Sequence, residues 1–138
     1  MAYWLMKSEP DAWSWDQQVK KGVKGEAWTG VRNHQAKLNL MKMKKGDRAF
    51  FYHSNIGKEA VGILEIIREA YPDPSAESGS PWVVVDVKAL EPLPKPVSLD
   101  AIKAEPNLKA MTLVNNTRLS VQPVTVDEWK LVCKMGGL

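Results

Sequence analysis

Residues 48–89 constrain the fold more than any other part of the chain. Arg48 to His53 carries Phe50-Phe51-Tyr52, a run of strong β-formers. A turn, Ser54-Asn55-Ile56-Gly57-Lys58, separates it from a long second strand, Ala60 to Tyr71. Hairpin logic makes the two antiparallel. Gly62, near the start of the second strand, predicts a bulge or a close backbone approach. Pro72 to Pro81, rich in Pro, Ser, Gly and acid, reads as an exposed loop. Trp82 to Ala89 is a third strand, with Val83, Val85 and Val87 on one face and Asp86 and Lys88 on the other. Glu91-Pro92-Leu93-Pro94-Lys95-Pro96 then reads as a semi-rigid extended connector.

The flanking segments supply short helices and two more strands. Tyr3-Trp4-Leu5-Met6 is apolar on both faces, which predicts a central strand, stopped near Pro10. Ser14-Trp15-Asp16-Gln17 is a capping box for a short helix that stops at Gly22, and Gly22 to Gly30 is a loop carrying Trp28. Asn33 is an N-cap for a helix through about Lys44, with Ala36, Leu40 and Met43 on one stripe and Leu38 and Met41 widening it. Ser98 caps a helix from Leu99 to about Ala104, and Arg118 to Gln122 is a last strand before Pro123. Thr125-Val126-Asp127-Glu128 is a second capping box, opening a helix with Trp129, Val132 and Cys133 on its apolar side. Trp4 and Trp129 read as core. Phe51 shares a strand face with His53, and Phe50 with Tyr52; one face is core, so at most one pair is free to line a pocket. Strands interspersed with short helices argue for an α+β fold whose antiparallel sheet curls towards a barrel.

At 138 residues the chain is expected to form one domain, 1–138. A net charge of +3 permits an anionic partner without requiring one. No apolar run is long enough to cross a bilayer, and the N-terminus lacks the pattern of a secretory signal. The lone Cys133 excludes an intrachain disulfide and fits a reducing cytoplasm. Two His and one Cys argue against a His/Cys metal site, and no cofactor is expected.

The stretch Gly25-Glu26-Ala27-Trp28-Thr29-Gly30-Val31-Arg32-Asn33-His34 concentrates the candidate chemistry. Glycine lets a backbone approach a ligand closely, Trp28 offers a flat apolar face, and Arg32, Asn33 and His34 offer hydrogen-bond donors and acceptors. Such a set can hold a flat ring with polar edges; it also suits a turn packed on a core Trp. Asn33 caps the helix or reads a base edge. Arg32 is a solvated charge or a phosphate contact. Lys37, Lys42, Lys44 and Lys45 are a dipole-matched helix face or a basic rim that meets phosphates. Ser8, at the end of the first strand, holds the turn or contacts a ligand, and Lys7 beside it pairs with an acid or does the same. His53 and Ser54 end a strand where a barrel mouth would lie.

Taken together, YWLMKSEP, WTGVRNHQA, FFYHSN, the Gly of AVGI and RLSVQPV resemble the EVE-domain family, over nearly the whole chain and in order. The resemblance implies a PUA-like fold, a curled, mostly antiparallel β-barrel with short peripheral helices. The YTH domains of the same superfamily are similar at a coarse level. There a Lys-Ser near the first strand and a Trp in the loop before a helix help form a cage around a methylated adenine. Lys7-Ser8 and Trp28-Thr29 occupy the same order here, and no second aromatic is matched to that cage. EVE domains are regarded as readers of modified bases in DNA or RNA.

The expected function is therefore a nucleic-acid-binding module that reads a modified nucleobase. Trp28 would stack, contributing about 1–3 kcal/mol; Asn33, Ser8 and His53 would recognise polar edges; Arg32 and the lysine-rich helix end would meet phosphate. Thr29, Gly30, Val31, Lys7 and Ser54 complete the ligand-binding set. A small hydrolase or nuclease, similar to the ASCH group and using Lys7, Ser8 and His53, is the alternative. It lacks a nucleophile elbow, a zinc spacing, a paired-carboxylate motif and a Walker loop. A third reading is a protein-interaction domain without a small ligand.

Overall fold

In the computed structural model, which describes residues 1–138, six strands form one sheet. They are β1 (Tyr3–Ser8), β2 (Glu26–Ala27), β3 (Arg48–His53), β4 (Glu59–Pro72), β5 (Val83–Ser98) and β6 (Val121–Val124). Their order across the sheet is β2-β5-β4-β3-β1-β6. Five helices flank them: α1 (Trp15–Lys20), α2 (His34–Lys42), α3 (Leu99–Ala104), α4 (Thr112–Asn115) and α5 (Val126–Met135).

The class is α+β as expected, but the curled antiparallel barrel is not what forms. The sheet is mixed and open, with free edges at β2 and β6. β1 and β3 are parallel neighbours, with Tyr3 opposite Arg48 and Ser8 opposite His53. The reason lies in the connection: the chain between them contains α1 and α2, and such a crossover returns the chain in the same direction, whereas a hairpin reverses it. β3–β4, β4–β5, β2–β5 and β1–β6 are antiparallel.

Both faces of the sheet are covered, so the expectation that only one face of β3 is core does not hold. One core contains Trp4, Met6, Trp28, Leu40, Phe51, Leu64 and Val85, under α1 and α2. The other contains Leu5, Phe50, Tyr52, Ile63, Ile102, Leu113 and Trp129, under α3 to α5. Period-2 alternation sends neighbouring residues of β1 and β3 into different cores. This is why Phe50, Phe51 and Tyr52 are all buried. Trp4 and Trp129 are core residues, as read.

Local signals held well at helix starts. Ser14 and Thr125 form complete capping boxes, and Asn33 and Ser98 accept from the amides of Ala36 and Ala101. Other expectations shifted. The stripe of α2 is narrower than read: Ala36, Asn39, Leu40 and Met43 are buried, while Leu38 and Met41 face outward. Asn39 donates to the Val121 carbonyl at 2.7 Å, fastening α2 to β6. The Pro-rich segment is no connector; β5 runs through it to Ser98. Pro92, Pro94 and Pro96 fall at alternate positions, so only one side of the strand loses its donors. Pro123 likewise sits inside β6, tolerated because β6 is an edge.

Gly62 marks a real close approach. A Cβ there would lie 2.4 Å from the Trp15 indole, and the β3–β4 and β4–β5 registers both shift beside it. The partner is a side chain rather than a backbone. Trp15 then meets Phe51 edge-on at 5.5 Å, and Phe51 meets Trp28 edge-on at 5.4 Å.

Candidate functional site

Because β1 and β3 run parallel, their carboxyl ends come side by side at Ser8 and His53. In sheets with parallel strands, crevices at this end are where ligands sit. Two clefts open here, one towards each face. The first has a volume of about 420 Å³. Its walls are Lys7 and Ser8 of β1, Ala12 and Trp13 of the following turn, and Glu26, Ala27, Trp28 and Thr29 of the β2 edge. The second, of about 370 Å³, is bounded by Lys7, Tyr52, Ser54, Asn55, Lys58, Leu99, Lys103, Leu113 and Thr117.

The segment carrying Trp28 is not a plain loop. Glu26 and Ala27 pair with Val87 and Asp86 of β5, and the Trp28 amide continues the ladder by donating to the Val85 carbonyl at 2.9 Å. Gly25 makes this possible: at φ 70 it lies so close to β5 that a Cβ would be 2.4 Å from the Val87 oxygen. Its close approach is therefore to the sheet, where a ligand was expected. Trp28 is 7% exposed and belongs to the core, yet it also lines the first cleft, so it is core and wall at once.

Trp13 is a second indole on the same cleft. Sequence reasoning missed it; its signal is an aromatic in the polar turn after Pro10, beside the Lys7-Ser8 pair. Its Nε1 donates to Gln18 Oε1 at 2.9 Å, and the fully buried Gln18 donates to the Val87 carbonyl at 3.3 Å. That relay fixes the ring against β5. Ser8 Oγ donates to the Trp13 carbonyl at 2.8 Å, and His53 Nε2 accepts from the Trp15 amide at 3.1 Å. Ser8 and His53 thus clamp the backbone of residues 13–15 from adjacent strands.

This geometry leaves no Ser–His pair poised for hydrolysis, since both side chains are committed to backbone groups. His53 lines neither cleft. Burial holds its pKa below the ordinary histidine range, against the opposing pull of Glu59 and Asp16, which favours the neutral acceptor form. Burial pushes the Cys133 thiol up to about 11, with Glu91 adding to the rise and Arg48 opposing it, which disfavours the thiolate. No three His, Cys, Asp or Glu side chains converge as metal ligands would.

The remaining residues of the stretch do other work. Gly30, Val31, Arg32 and Asn33 do not line the first cleft. Val31 is buried, and Asn33 spends its side-chain oxygen on the Ala36 amide at 2.9 Å. Arg32 Nη1 pairs with Asp73 Oδ2 at 3.0 Å, and the Gly30 amide donates to the same oxygen at 3.2 Å. Asp73, also missed, is the exception in the loop after β4: it is buried while most of its neighbours are exposed. Burial alone would raise its pKa, but Ser75, Arg32 and the Gly30 amide outweigh that and hold it at about 2. Sequence could have flagged it only as one acid in a loop of several.

Lys7 and Ser54 meet at the second cleft. The Lys7 ammonium donates to the Thr117 carbonyl and lies 5.8 Å from the centre of the Tyr52 ring. Burial lowers its pKa. In the first cleft, Glu26 pairs with Lys21 at 3.1 Å and accepts from the Ala27 amide at 3.2 Å, leaving acceptor capacity on both oxygens.

Comparison with known proteins agrees with this architecture. The EVE domain model matches residues 2–135. A Rhodopseudomonas palustris protein solved by NMR is 69% identical, with a TM-score of 0.93, covering 99% of this chain and 94% of that one. Rat thymocyte nuclear protein 1 is 36% identical over 96% of this chain and 73% of its own length. Human THYN1 protein, solved in complex with 5-methylcytosine containing DNA, is 32% identical with a TM-score of 0.92, covering 100% of this chain and 99% of that one. The YTH domain of Zygosaccharomyces rouxii MRB1 protein shares the fold at a TM-score of 0.60 and 17% identity, covering 99% of this chain and 87% of that one. The chain belongs to the EVE domain family.

Proposed function

We propose that this protein is a nucleic-acid-binding module whose first cleft holds a single modified nucleobase. The observation that carries the reading is the pair of indoles, Trp13 and Trp28, on one cleft at the carboxyl ends of β1 and β3. A cleft of about 420 Å³ is of the size that takes one small flat ligand. Each indole offers a stacking surface, and a base stacked on an aromatic gains about 1–3 kcal/mol. That human THYN1 protein has been solved with 5-methylcytosine containing DNA supports the same class of ligand here.

Polar groups on the cleft would set the choice of base. Glu26 is the acceptor for an exocyclic amine, the pairing that a carboxylate makes with cytosine N4. The Thr29 hydroxyl can donate to a ring nitrogen or carbonyl, and the lone pairs of Ser8, whose own proton goes to the Trp13 carbonyl, can accept from a base N–H. Arg32 and Asn33 are left out of the contact set, because Asp73 and the α2 amide already hold them.

Titration with free nucleosides, with and without methyl or hydroxymethyl groups on cytosine and adenine, tests the reading through Trp fluorescence. Saturable quenching by one amino-bearing modified member is expected, abolished in Trp13→Ala and weakened about tenfold in Glu26→Ala. A folded protein that answers no member of the panel contradicts it.

A further inference from the structure

We propose that the second cleft is a phosphodiester site, taking the backbone phosphate that flanks the base held in the first. The proposal rests on the base-binding reading and adds a second contact to it. Three lysines, Lys7, Lys58 and Lys103, line this cleft, and no carboxylate does. None of the three takes part in an ion pair; the pairs in the molecule are Lys21–Glu26, Arg32–Asp73 and Lys88–Glu65. Glu59 and Asp100 act on Tyr52 from outside the lining. Ammonium groups free of ion pairs around a concave surface, one of them (Lys7) steadied by the Thr117 carbonyl, with the Ser54 and Thr117 hydroxyls beside them, match the charge and the hydrogen bonding of a phosphate.

Lys7 ties the two clefts together, being the one residue that bounds both. On β1 its side chain faces the Tyr52 side, while Ser8 faces the Trp28 side. A strand laid across the ends of β1 and β3 would therefore pass from base cleft to lysine cleft over the Ser8–His53 pair. Lys58 adds a further mark: it occupies the left-handed region at φ 47, directly after Gly57 at φ 86. Its carbonyl accepts from the Leu99 amide at 2.9 Å, which fixes the turn beside α3. By contrast, Lys42, Lys44 and Lys45 lie at the other end of the sheet, next to the start of β3. A strand of six residues separates the two groups by roughly 17 Å. The lysine-rich helix end, at the far end of β3, is therefore not the site proposed for the phosphate next to that base.

The test compares wild type with Lys58→Gln/Lys103→Gln and with Lys42→Gln/Lys44→Gln. The probes are free 5-methylcytidine, a nine-nucleotide single strand with one 5-methylcytosine, an abasic trinucleotide and inorganic phosphate. Both double variants change exposed side chains, and equal denaturation midpoints check their folding. For Lys58→Gln/Lys103→Gln we expect oligonucleotide affinity to fall about tenfold at low salt. The slope of log affinity against log salt should shrink by roughly 1.4, for two phosphate contacts on a single strand. Nucleoside affinity should stay within about twofold, and the far-end variant should lose less than half as much.

An unchanged salt slope, or an equal loss in the far-end variant, overturns the second cleft while leaving the base reading intact. If no nucleoside binds, the base reading fails alone, and amide shifts at Asn55, Lys58 and Thr117 on adding the abasic trinucleotide decide the phosphate site. Their appearance upholds it; their absence removes it. Inorganic phosphate producing the same shifts at the same concentration would show an anion site with no preference for a strand, and would overturn the link to nucleic acid.

Discussion

Trp13 and Trp28 line the same cleft but differ in what else they do. Trp28 is buried against Phe51, so removing it opens a cavity in the core. Trp28→Ala should cost about 3–5 kcal/mol of stability. Trp13 is only half-buried, packed on the edge of the same core, with its ring nitrogen held by Gln18 and its carbonyl by Ser8. Trp13→Ala should cost about 1 kcal/mol while abolishing nucleoside quenching. Urea denaturation beside the fluorescence titration separates the two effects, and equal stability losses would mean that Trp13 is core as well. Ser8 and His53 both hold the 13–15 backbone, and of the two only Ser8 also lines the cleft.

Among the elements, β4 and α1 are joined through one glycine. The Trp15 indole of α1 lies where the Gly62 Cβ would be, 2.4 Å away, and its edge rests on Phe51. Gly62→Ala must push the indole outward or bend β4 further. Overpacking of this kind costs about 1–3 kcal/mol. The displaced Trp15 would also move the turn that carries Trp13, because His53 and Ser8 grip both backbones. Near-ultraviolet circular dichroism should therefore change along with the urea midpoint. A variant of native midpoint and native spectrum would show that the turn moves freely of β4.

For the molecule as a whole, acid should act on stability in two steps. The folded His53 has a pKa below its unfolded value of 6.5, so the unfolded chain takes up the proton first. Its contribution is complete above pH 6.5 and is lost as pH falls through the folded value. Asp73 follows the same sign at lower pH, being held at about 2 against 3.8 unfolded. Its share is complete above pH 3.8 and fades as pH approaches 2. Asp73→Asn should remove the lower step and leave Arg32 unpaired, at a cost of about 1–3 kcal/mol at neutral pH. Urea midpoints measured from pH 8 to pH 2 for wild type and Asp73→Asn check both windows, and a variant with an unaltered acid limb would exclude Asp73 from that step.

What the sequence determined by itself was local or carried by many residues at once. Ser14, Asn33, Ser98 and Thr125 were legible as caps because a cap depends on residues three apart. The β-formers of residues 48–53 and 60–71 placed a hairpin, and the motif order carried the family. Tertiary structure alone decided the rest. Whether β1 lies parallel to β3 depends on where a crossover lands, which no local pattern records. That Arg32 meets Asp73 across forty-one positions, and that Trp13 meets the Trp28 edge on one cleft, are long-range outcomes of sheet order. Residue type told which groups could recognise a base; only the fold settled which of them had already been used by the protein itself.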